Sequence, residues 1–231
     1  MQHRTILAAA LMAVLVVPLW AQIEADFTIS LTSDGSGVVI TGYFGAARDV
    51  HIPALIQGRP VQEIGWYAFS RSPITSVVIP DGVVAVRNWA FYFCTSLVSV
   101  TLPQSLTIIE DRVFSNCTSL TSITLPEGIS AIERGVFAGC TSLASITLPE
   151  GLTVIRREAF SRCSSLTSIT LPEGITAIED SAFANCTSLT SVIIPDSITT
   201  INFGENVFRG SRRIQMPNQA ALRRIGYSDG F

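Results

Sequence analysis

The sequence is short of the residues on which most enzymatic and metal sites depend. It contains two histidines, His3 and His51, and His3 lies in a predicted leader segment. Asp49 stands two residues before His51, but no serine or cysteine nucleophile is singled out near this pair. No phosphate-binding, dinucleotide-binding or metal-binding motif occurs. We therefore predict no enzymatic activity, no catalytic residue, no cofactor and no metal site.

Charged residues and long apolar runs are scarce as well. Charged side chains make up 14% of the chain, and the net charge is −3. Because nucleic-acid-binding domains carry a strongly basic face, this balance predicts no nucleic-acid partner. After the first 21 residues no apolar run approaches the roughly 20 residues that cross a bilayer. We therefore predict no membrane span.

The first 21 residues have the layout of a secretory signal peptide. Arg4 supplies a positive charge, an apolar run extends from Ile6 to Trp20, and Ala21 offers a small residue for cleavage before Gln22. This run is shorter than a membrane-spanning helix. It predicts that the mature chain is secreted, in the periplasm or at the cell surface. An uncleaved N-terminal anchor is the alternative.

A repeat of 23 residues dominates the rest of the chain. One unit, from Leu120 to Ser142, reads LTSITLPEGISAIERGVFAGCTS. Five cysteines and five phenylalanines keep this period: Cys94, Cys117, Cys140, Cys163 and Cys186, and Phe91, Phe114, Phe137, Phe160 and Phe183. Such self-similarity predicts a solenoid, in which each unit completes its core by stacking on its neighbours.

Each unit predicts one short strand and a less regular return. Leu120, Ile123 and Leu125 have the spacing of a strand that alternates between two faces. Pro126 ends this strand because proline cannot donate to the ladder. The segment 133–136 is expected to cross the outer side before the phenylalanine and cysteine close the core.

The five cysteines predict a column of buried free thiols. Their number is odd, and all occupy the same inward position of the repeat. Neighbouring coils would hold them about 4.7–4.9 Å apart with parallel side chains. A disulfide requires converging Cβ atoms about 3.5–4.5 Å apart. No histidine or acidic residue recurs beside the cysteines to complete a zinc site.

The repeat resembles the BspA-type, or treponemal, leucine-rich repeats. The shared pattern is L-x-x-I-x-L-P-x-x-[IL]-x-x-I-x-x-x-[AV]-F-x-x-C-x-S, from Val50 to Pro217. The resemblance implies a leucine-rich-repeat solenoid with a parallel β-sheet on the concave face and irregular or short helical segments on the convex face. It also implies an N-terminal β-hairpin cap, here within 27–44. The family is associated with bacterial surface and secreted proteins that bind host matrix or other cells.

The expected organisation is therefore a signal peptide (1–21), a hairpin cap (22–49), leucine-rich repeats (50–208) and a C-terminal cap (209–231). The C-terminal cap breaks the period and is rich in arginine: Arg209, Arg212, Arg213, Arg223 and Arg224. This basic segment is either a solvated end of the solenoid or a surface for anionic partners.

Departures from the repeat mark the candidate binding residues. Serine and threonine rows are expected to point out of the strands. Aromatic side chains replace polar ones at outward or edge positions of the first two units: Trp66, Tyr67, Trp89, Tyr92 and Phe93. The strand rows turn apolar at Val78 and Ile193. The aromatics form either a partner-binding surface or a surface covered by the hairpin cap.

Together with the resemblance, these departures predict a protein-binding module. Its expected role is adhesion or attachment to a protein of the host matrix or of a bacterial surface. The alternative is a structural scaffold of the envelope that self-associates into a homo-oligomer through its exposed apolar patches.

Overall fold

A computed structural model describes residues 24–194, 202–214 and 222–227. The predicted signal peptide (1–21) and parts of the predicted C-terminal cap lie outside these ranges. In chain order the secondary structure is a 3-10 helix (Glu24–Asp26), β1 (Phe27–Leu31), β2 (Val38–Tyr43), β3 (Asp49–His51), β4 (Leu55–Ile56), β5 (Arg59–Ile64), β6 (Ser76–Val78), β7 (Ala85–Val86), β8 (Ser99–Thr101), β9 (Ile108–Ile109), β10 (Ser122–Thr124), β11 (Ala131–Ile132), β12 (Ser145–Thr147), β13 (Val154–Ile155), β14 (Ser168–Thr170), β15 (Ala177–Ile178), β16 (Ser191–Ile193) and β17 (Asn202–Phe203). None of the helices in the described ranges has the length and apolar character of a membrane span.

Three-residue strands form one side of the solenoid. They pair in parallel as β3–β6–β8, β10–β12 and β14–β16. Ser122 lies opposite Ser145 and Thr124 opposite Thr147, so equivalent residues of successive coils share one register. The hydroxyl side chains are exposed, whereas Ile123 between them is buried. The predicted leucine-rich-repeat solenoid and its outward serine and threonine rows are confirmed.

Two-residue strands form a second parallel sheet. The order β1–β2–β5–β7–β9 continues the hairpin into the first coils, and β11–β13–β15–β17 follows. Ile132 lies opposite Ile155, and both are buried. The sequence pattern predicted only one strand per unit, because two residues are too few to display an alternation of faces.

Consecutive turns, rather than helices, form the third side of each coil. Within a coil, the N–H of Tyr92 donates to the carbonyl of Trp89 at 3.0 Å. Between coils, the N–H of Phe91 donates to Val113 at 3.0 Å. Three such bonds link each pair of successive coils, and every one of them runs from an N–H of the earlier coil to a carbonyl of the later coil.

Two positions on the turn side of every coil adopt the left-handed backbone region. The first column contains Tyr67, Trp89, Arg112, Gly135, Glu158, Ser181 and Asn206, with φ between 55° and 61°. The second contains Arg71, Phe93, Asn116, Gly139, Arg162, Asn185 and Gly210, with φ between 59° and 80°. Glycine enters this region freely, but a bulky side chain is unfavourable there by about 1–2 kcal/mol. The hydrogen bonds between coils must therefore hold this backbone.

A column of stacked phenylalanines runs through the core. Their ring centroids are separated by 4.9–5.7 Å in the order Phe69, Phe91, Phe114, Phe137, Phe160, Phe183 and Phe208. Val136 is also buried, so the expectation that segment 133–136 stays outside is wrong at its last residue. The physical reason is a turn, closed from the N–H of Val136 to Glu133, that bends the chain inward.

All five cysteines are free and buried, as predicted. Each thiol donates to a phenylalanine carbonyl of the preceding coil at 3.0–3.2 Å, as in the bond from Cys140 to Phe114. Ser211 occupies the same position in the last coil and donates to Phe183 at 2.7 Å. Burial raises the pKa of Cys140 to about 12, which keeps its thiol protonated and unreactive.

An antiparallel hairpin of β1 and β2 caps the N-terminal end, as predicted. Phe27 and Tyr43 place their rings on Phe69, with centroids at 6.5 and 5.3 Å, and so cover the end of the phenylalanine column. The N–H of Gly65 donates to Ile40 at 2.7 Å, and a Cβ at Gly65 would lie 2.8 Å from that same oxygen. Glycine is therefore required where the hairpin meets the first coil.

Candidate binding surface

The predicted aromatic residues lie together on the turn side of the first two coils. Tyr67 and Trp89 occupy the same position in adjacent coils, and their rings stack with centroids 5.1 Å apart and an interplanar angle of 3°. Tyr67 is 53% exposed and Trp66, immediately before it, is 68% exposed. Tyr92 contacts the exposed ring of Phe93 at a centroid distance of 5.6 Å. We call these five residues the aromatic surface.

The hairpin does not cover the aromatic surface. Its apolar side chains Phe27 and Tyr43 contact the phenylalanine column instead. Trp66, Tyr67 and Phe93 remain exposed in the described structure. Burial under the hairpin therefore does not account for these three side chains.

Three of these aromatics stand on strained backbone. Tyr67, Trp89 and Phe93 have φ of 56°, 57° and 61° at positions where the fourth coil carries Gly135 and Gly139. An aromatic residue in the left-handed region is disfavoured. Tyr67 and Phe93 remain 53% and 45% exposed, so burial of these two rings offsets little of the strain.

A groove of 530 Å³ opens beside Trp66. Its lining comes from the hairpin and the first three coils: Val39, Thr41, Glu63, Gly65, Trp66, Arg87 and Glu110. This volume lies within the range of about 300–1,000 Å³ that is usual for ligand pockets. The groove therefore has room for a side chain or a short segment of a partner.

A charged trio forms the polar wall of this groove. Arg87 donates to both carboxylate oxygens of Glu63, at 2.6 and 2.9 Å, and to Glu110 at 2.8 Å. The hydrogen bond to Glu63 is the main cause that raises the pKa of Arg87. Arg156 bridges Glu133 and Glu179 in the same way. Such charged groups therefore join coils at more than one place, and the contribution of Trp66 is what distinguishes the groove.

The structure separates the two apolar strand positions from the aromatic surface. Val78 lies in β6, on the strand side of the solenoid, and is half-buried opposite Thr101. Ile193 lies in β16, opposite Thr170, and is 50% exposed. Neither belongs to the groove beside Trp66. Their role in self-association stays a prediction.

In the pair of Asp49 and His51, the Asp49 carboxylate is held by hydrogen bonds to the next coil. The carboxylate of Asp49 accepts hydrogen bonds from Ser76 at 2.8 Å and Thr75 at 2.9 Å. These bonds, the one from Ser76 first, lower the pKa of Asp49. Within the described ranges, no three side chains of the kinds that bind metals are grouped together.

Sequence reasoning missed the exposed apolar residues of the hairpin and of the segment that follows it. Phe44 is 75% exposed, Leu31 56% and Leu55 54%. Leu31 and Phe44 precede the repeats, and Leu55 lies in the first unit, which follows the consensus poorly, so no departure from a consensus could reveal them.

The pairing of Arg87 with Glu110 could have been found, because one repeat position holds arginine and glutamate in complementary order: Arg87, Glu110, Glu133, Arg156 and Glu179. Glu63, the third member of the trio, lies opposite Ala85 and so outside this column.

Comparison with known proteins places the chain in a family. The model of the BspA type leucine rich repeat region matches residues 62–164 and 88–215. The T. pallidum leucine rich repeat protein TpLRR is 32% identical, with a TM-score of 0.85 over 90% of this chain and 96% of that one. No functionally curated protein matches the sequence.

Two further solved structures are similar. A leucine rich cell surface protein of Faecalibacterium prausnitzii A2-165 is 25% identical, with a TM-score of 0.50 over 84% of this chain and 75% of that one. A leucine-rich repeat protein of Eubacterium ventriosum ATCC 27560 shares the fold at 23% identity, with a TM-score of 0.69 over 80% of this chain and 52% of that one. The repeat, the stacked coils and these similarities lead to one conclusion: the chain belongs to the BspA-type leucine-rich-repeat family.

Proposed function

We propose that this chain is a binding module that attaches to a protein of the host matrix or of a bacterial surface through its aromatic surface. The observation that carries the proposal is the exposure of Trp66, Tyr67 and Phe93, together with a preformed groove that Trp66 lines. Tryptophan and tyrosine dominate the binding energy of protein interfaces when they insert into a partner. The stack of Tyr67 on Trp89 fixes one ring in advance, which lowers the entropy lost on binding.

Location outside the cytoplasm or at the cell surface is part of this proposal. The predicted signal peptide supports it, and one similar structure is that of a cell surface protein. Adhesion is the function that joins such a location to a partner-binding surface.

Binding of the purified chain to a panel of extracellular-matrix and bacterial-surface proteins tests the proposal. Truncation of a central aromatic residue weakens an interface by about 2 kcal/mol or more, roughly thirtyfold in Kd. We expect saturable binding that weakens by at least this factor in Trp66→Ser and in Phe93→Ser. Phe44→Ser is the control, because Phe44 is 75% exposed but does not line the groove beside Trp66.

Equal losses in the control and in the two aromatic variants would contradict a site at the aromatic surface. Absence of any binding, together with concentration-dependent assembly that Ile193→Asp abolishes, would favour the alternative scaffold. Circular dichroism of each variant must first show an unchanged melting temperature, so that loss of folding is not read as loss of a contact.

A further inference from the structure

A cluster of arginines occupies the C-terminal end of the solenoid. Residues 209–231 contain five arginines and one acidic residue, Asp229, although the whole chain carries a net charge of −3. The rest of the chain is therefore net negative. The side chains of all five arginines are exposed: Arg209, Arg212, Arg213, Arg223 and Arg224. We call this set the arginine surface.

Some arginines of the earlier coils are held in ion pairs. Arg87 and Arg156 each bridge two glutamates, which neutralises their charge. Four members of the arginine surface form no ion pair with any described residue: Arg209, Arg212, Arg213 and Arg224. Guanidinium groups without a carboxylate partner keep paired N–H donors available for sulfate, phosphate or carboxylate groups.

The backbone adds positive potential at the same end. The N–H groups of Phe183 and Asn185 donate to carbonyls of the last coil at 2.9 and 2.6 Å. At the equivalent positions of the last coil, the N–H groups of Phe208 and Gly210 have no acceptor among the described residues. Because every such N–H on the turn side points toward the C-terminal end, the peptide dipoles add along the solenoid axis. Aligned dipoles of this sense make the potential at this end more positive and so favour an anion there.

The apolar residues described at this end are buried. Leu222, Ile225 and Tyr227 are buried, and the ring of Tyr227 packs on Phe203 and Phe208 at 5.2 Å. Among the described residues from 209 onward, no apolar side chain is exposed. Insertion into a bilayer needs exposed apolar side chains, and stacking of nucleic-acid bases needs exposed rings. Neither is present in this part of the described structure, so the surface favours a hydrophilic polyanion.

We propose that the arginine surface binds a sulfated polysaccharide. Such a chain repeats its anionic groups along an extended hydrophilic backbone and so can engage several guanidinium groups at once. The net negative charge of the remaining coils directs the polyanion to this end of the molecule. The site is separate from the aromatic surface, which belongs to the first two coils.

Isothermal titration calorimetry of the full chain with heparin tests the proposal. The Kd is measured at several NaCl concentrations between 50 and 300 mM. We expect saturable binding whose Kd rises steeply with salt, because counterions are released from the polyanion. The triple variant Arg212→Gln, Arg213→Gln, Arg224→Gln is expected to raise Kd at least about tenfold. The matched control is Arg48→Gln, Arg134→Gln, Arg162→Gln, which removes three exposed arginines from earlier parts of the chain and should change Kd less than about twofold.

Three comparison ligands identify the chemical class of the bound anion: desulfated heparin, a DNA duplex of matched charge, and vesicles that contain phosphatidylglycerol. Loss of binding with desulfated heparin, and weaker binding of DNA and vesicles, would support a sulfate-reading surface. Equal losses of heparin binding in the two triple variants would overturn the proposal, since the effect would then follow net charge alone. Tighter binding of DNA or vesicles than of heparin would also overturn it, as would the absence of heparin binding at 50 mM NaCl.

Discussion

Removal of one phenylalanine ring from the middle of the stacked column is the sharpest test of the register described above. Phe137 is fully buried, and its ring lies 5.7 Å from that of Phe114 and 5.4 Å from that of Phe160. Truncation of a buried phenylalanine to alanine usually lowers the free energy of unfolding by about 3–5 kcal/mol. Loss of each ring–ring contact lowers the free energy of unfolding by about 0.5–1.5 kcal/mol beyond the loss of buried apolar area.

We expect a loss of about 4–5 kcal/mol for Phe137→Ala, in the upper part of the usual range. The cavity cannot close easily, because backbone hydrogen bonds hold the flanking coils at a fixed distance. Phe137 itself donates to Ala159 at 2.8 Å, and Phe114 donates to Val136 at 2.9 Å. With a urea m-value of about 2 kcal/mol per M, the midpoint should fall by roughly 2 M.

Urea denaturation followed by far-UV circular dichroism provides the measurement, and fluorescence of Trp66 and Trp89 reports separately on the first coils. Phe44→Ala is the control, because an exposed side chain should change the free energy of unfolding by no more than about 0.5 kcal/mol. A loss below about 1 kcal/mol for Phe137→Ala would refute the assignment of this ring to the core.

Two further predictions follow from the turn side and from the thiol column. Gly139→Ala should lower the free energy of unfolding by about 1–2 kcal/mol, because φ is 77° and the new Cβ would lie 2.5 Å from Asn116. In the control Gly174→Ala the nearest atoms lie at 3.6 Å, so equal losses for both in thermal melts would contradict the left-handed assignment. The native protein should not react with a thiol reagent at pH 8, because its five thiols are buried and the pKa of Cys140 and Cys186 is raised to about 12. The unfolded chain should expose all five, and a native thiol that reacts at the rate of an unfolded one would show that the column is open.

The period of the sequence was sufficient to predict the stacking direction and the residues that share a column. Cys117 and Cys140 recur at the same position of the repeat, and this recurrence predicts that equivalent residues of successive coils lie side by side. The second sheet was not predictable in the same way, because β11 and its equivalents contain two residues each. The left-handed positions were hidden as well, since residues as different as Trp89, Glu158 and Gly135 occupy them.

The candidate binding surface was predictable in its residues but not in its shape. Trp66 and Tyr67 stand out in the sequence because they replace the polar residues of later units. Whether the hairpin would cover them depends on where it packs, and this is set by contacts such as that of Tyr43, which lies outside the repeats, with Phe69. The groove depends on the same contacts, since Val39 and Thr41 form its hairpin wall.

Successive coils meet through equivalent backbone contacts, and this has a consequence for how the number of coils can change. Each coil offers the same donors and acceptors to the next, so a whole coil can be gained or lost without creation of a new kind of junction. The coil of Phe91 carries part of the aromatic surface, and the coil of Phe208 begins the arginine surface. Between them the chain takes five steps of about 4.7–4.9 Å, a separation of roughly 25 Å. The solenoid thus acts as a molecular ruler, in which duplication or deletion of 23 residues resets the distance between two ends by one fixed increment.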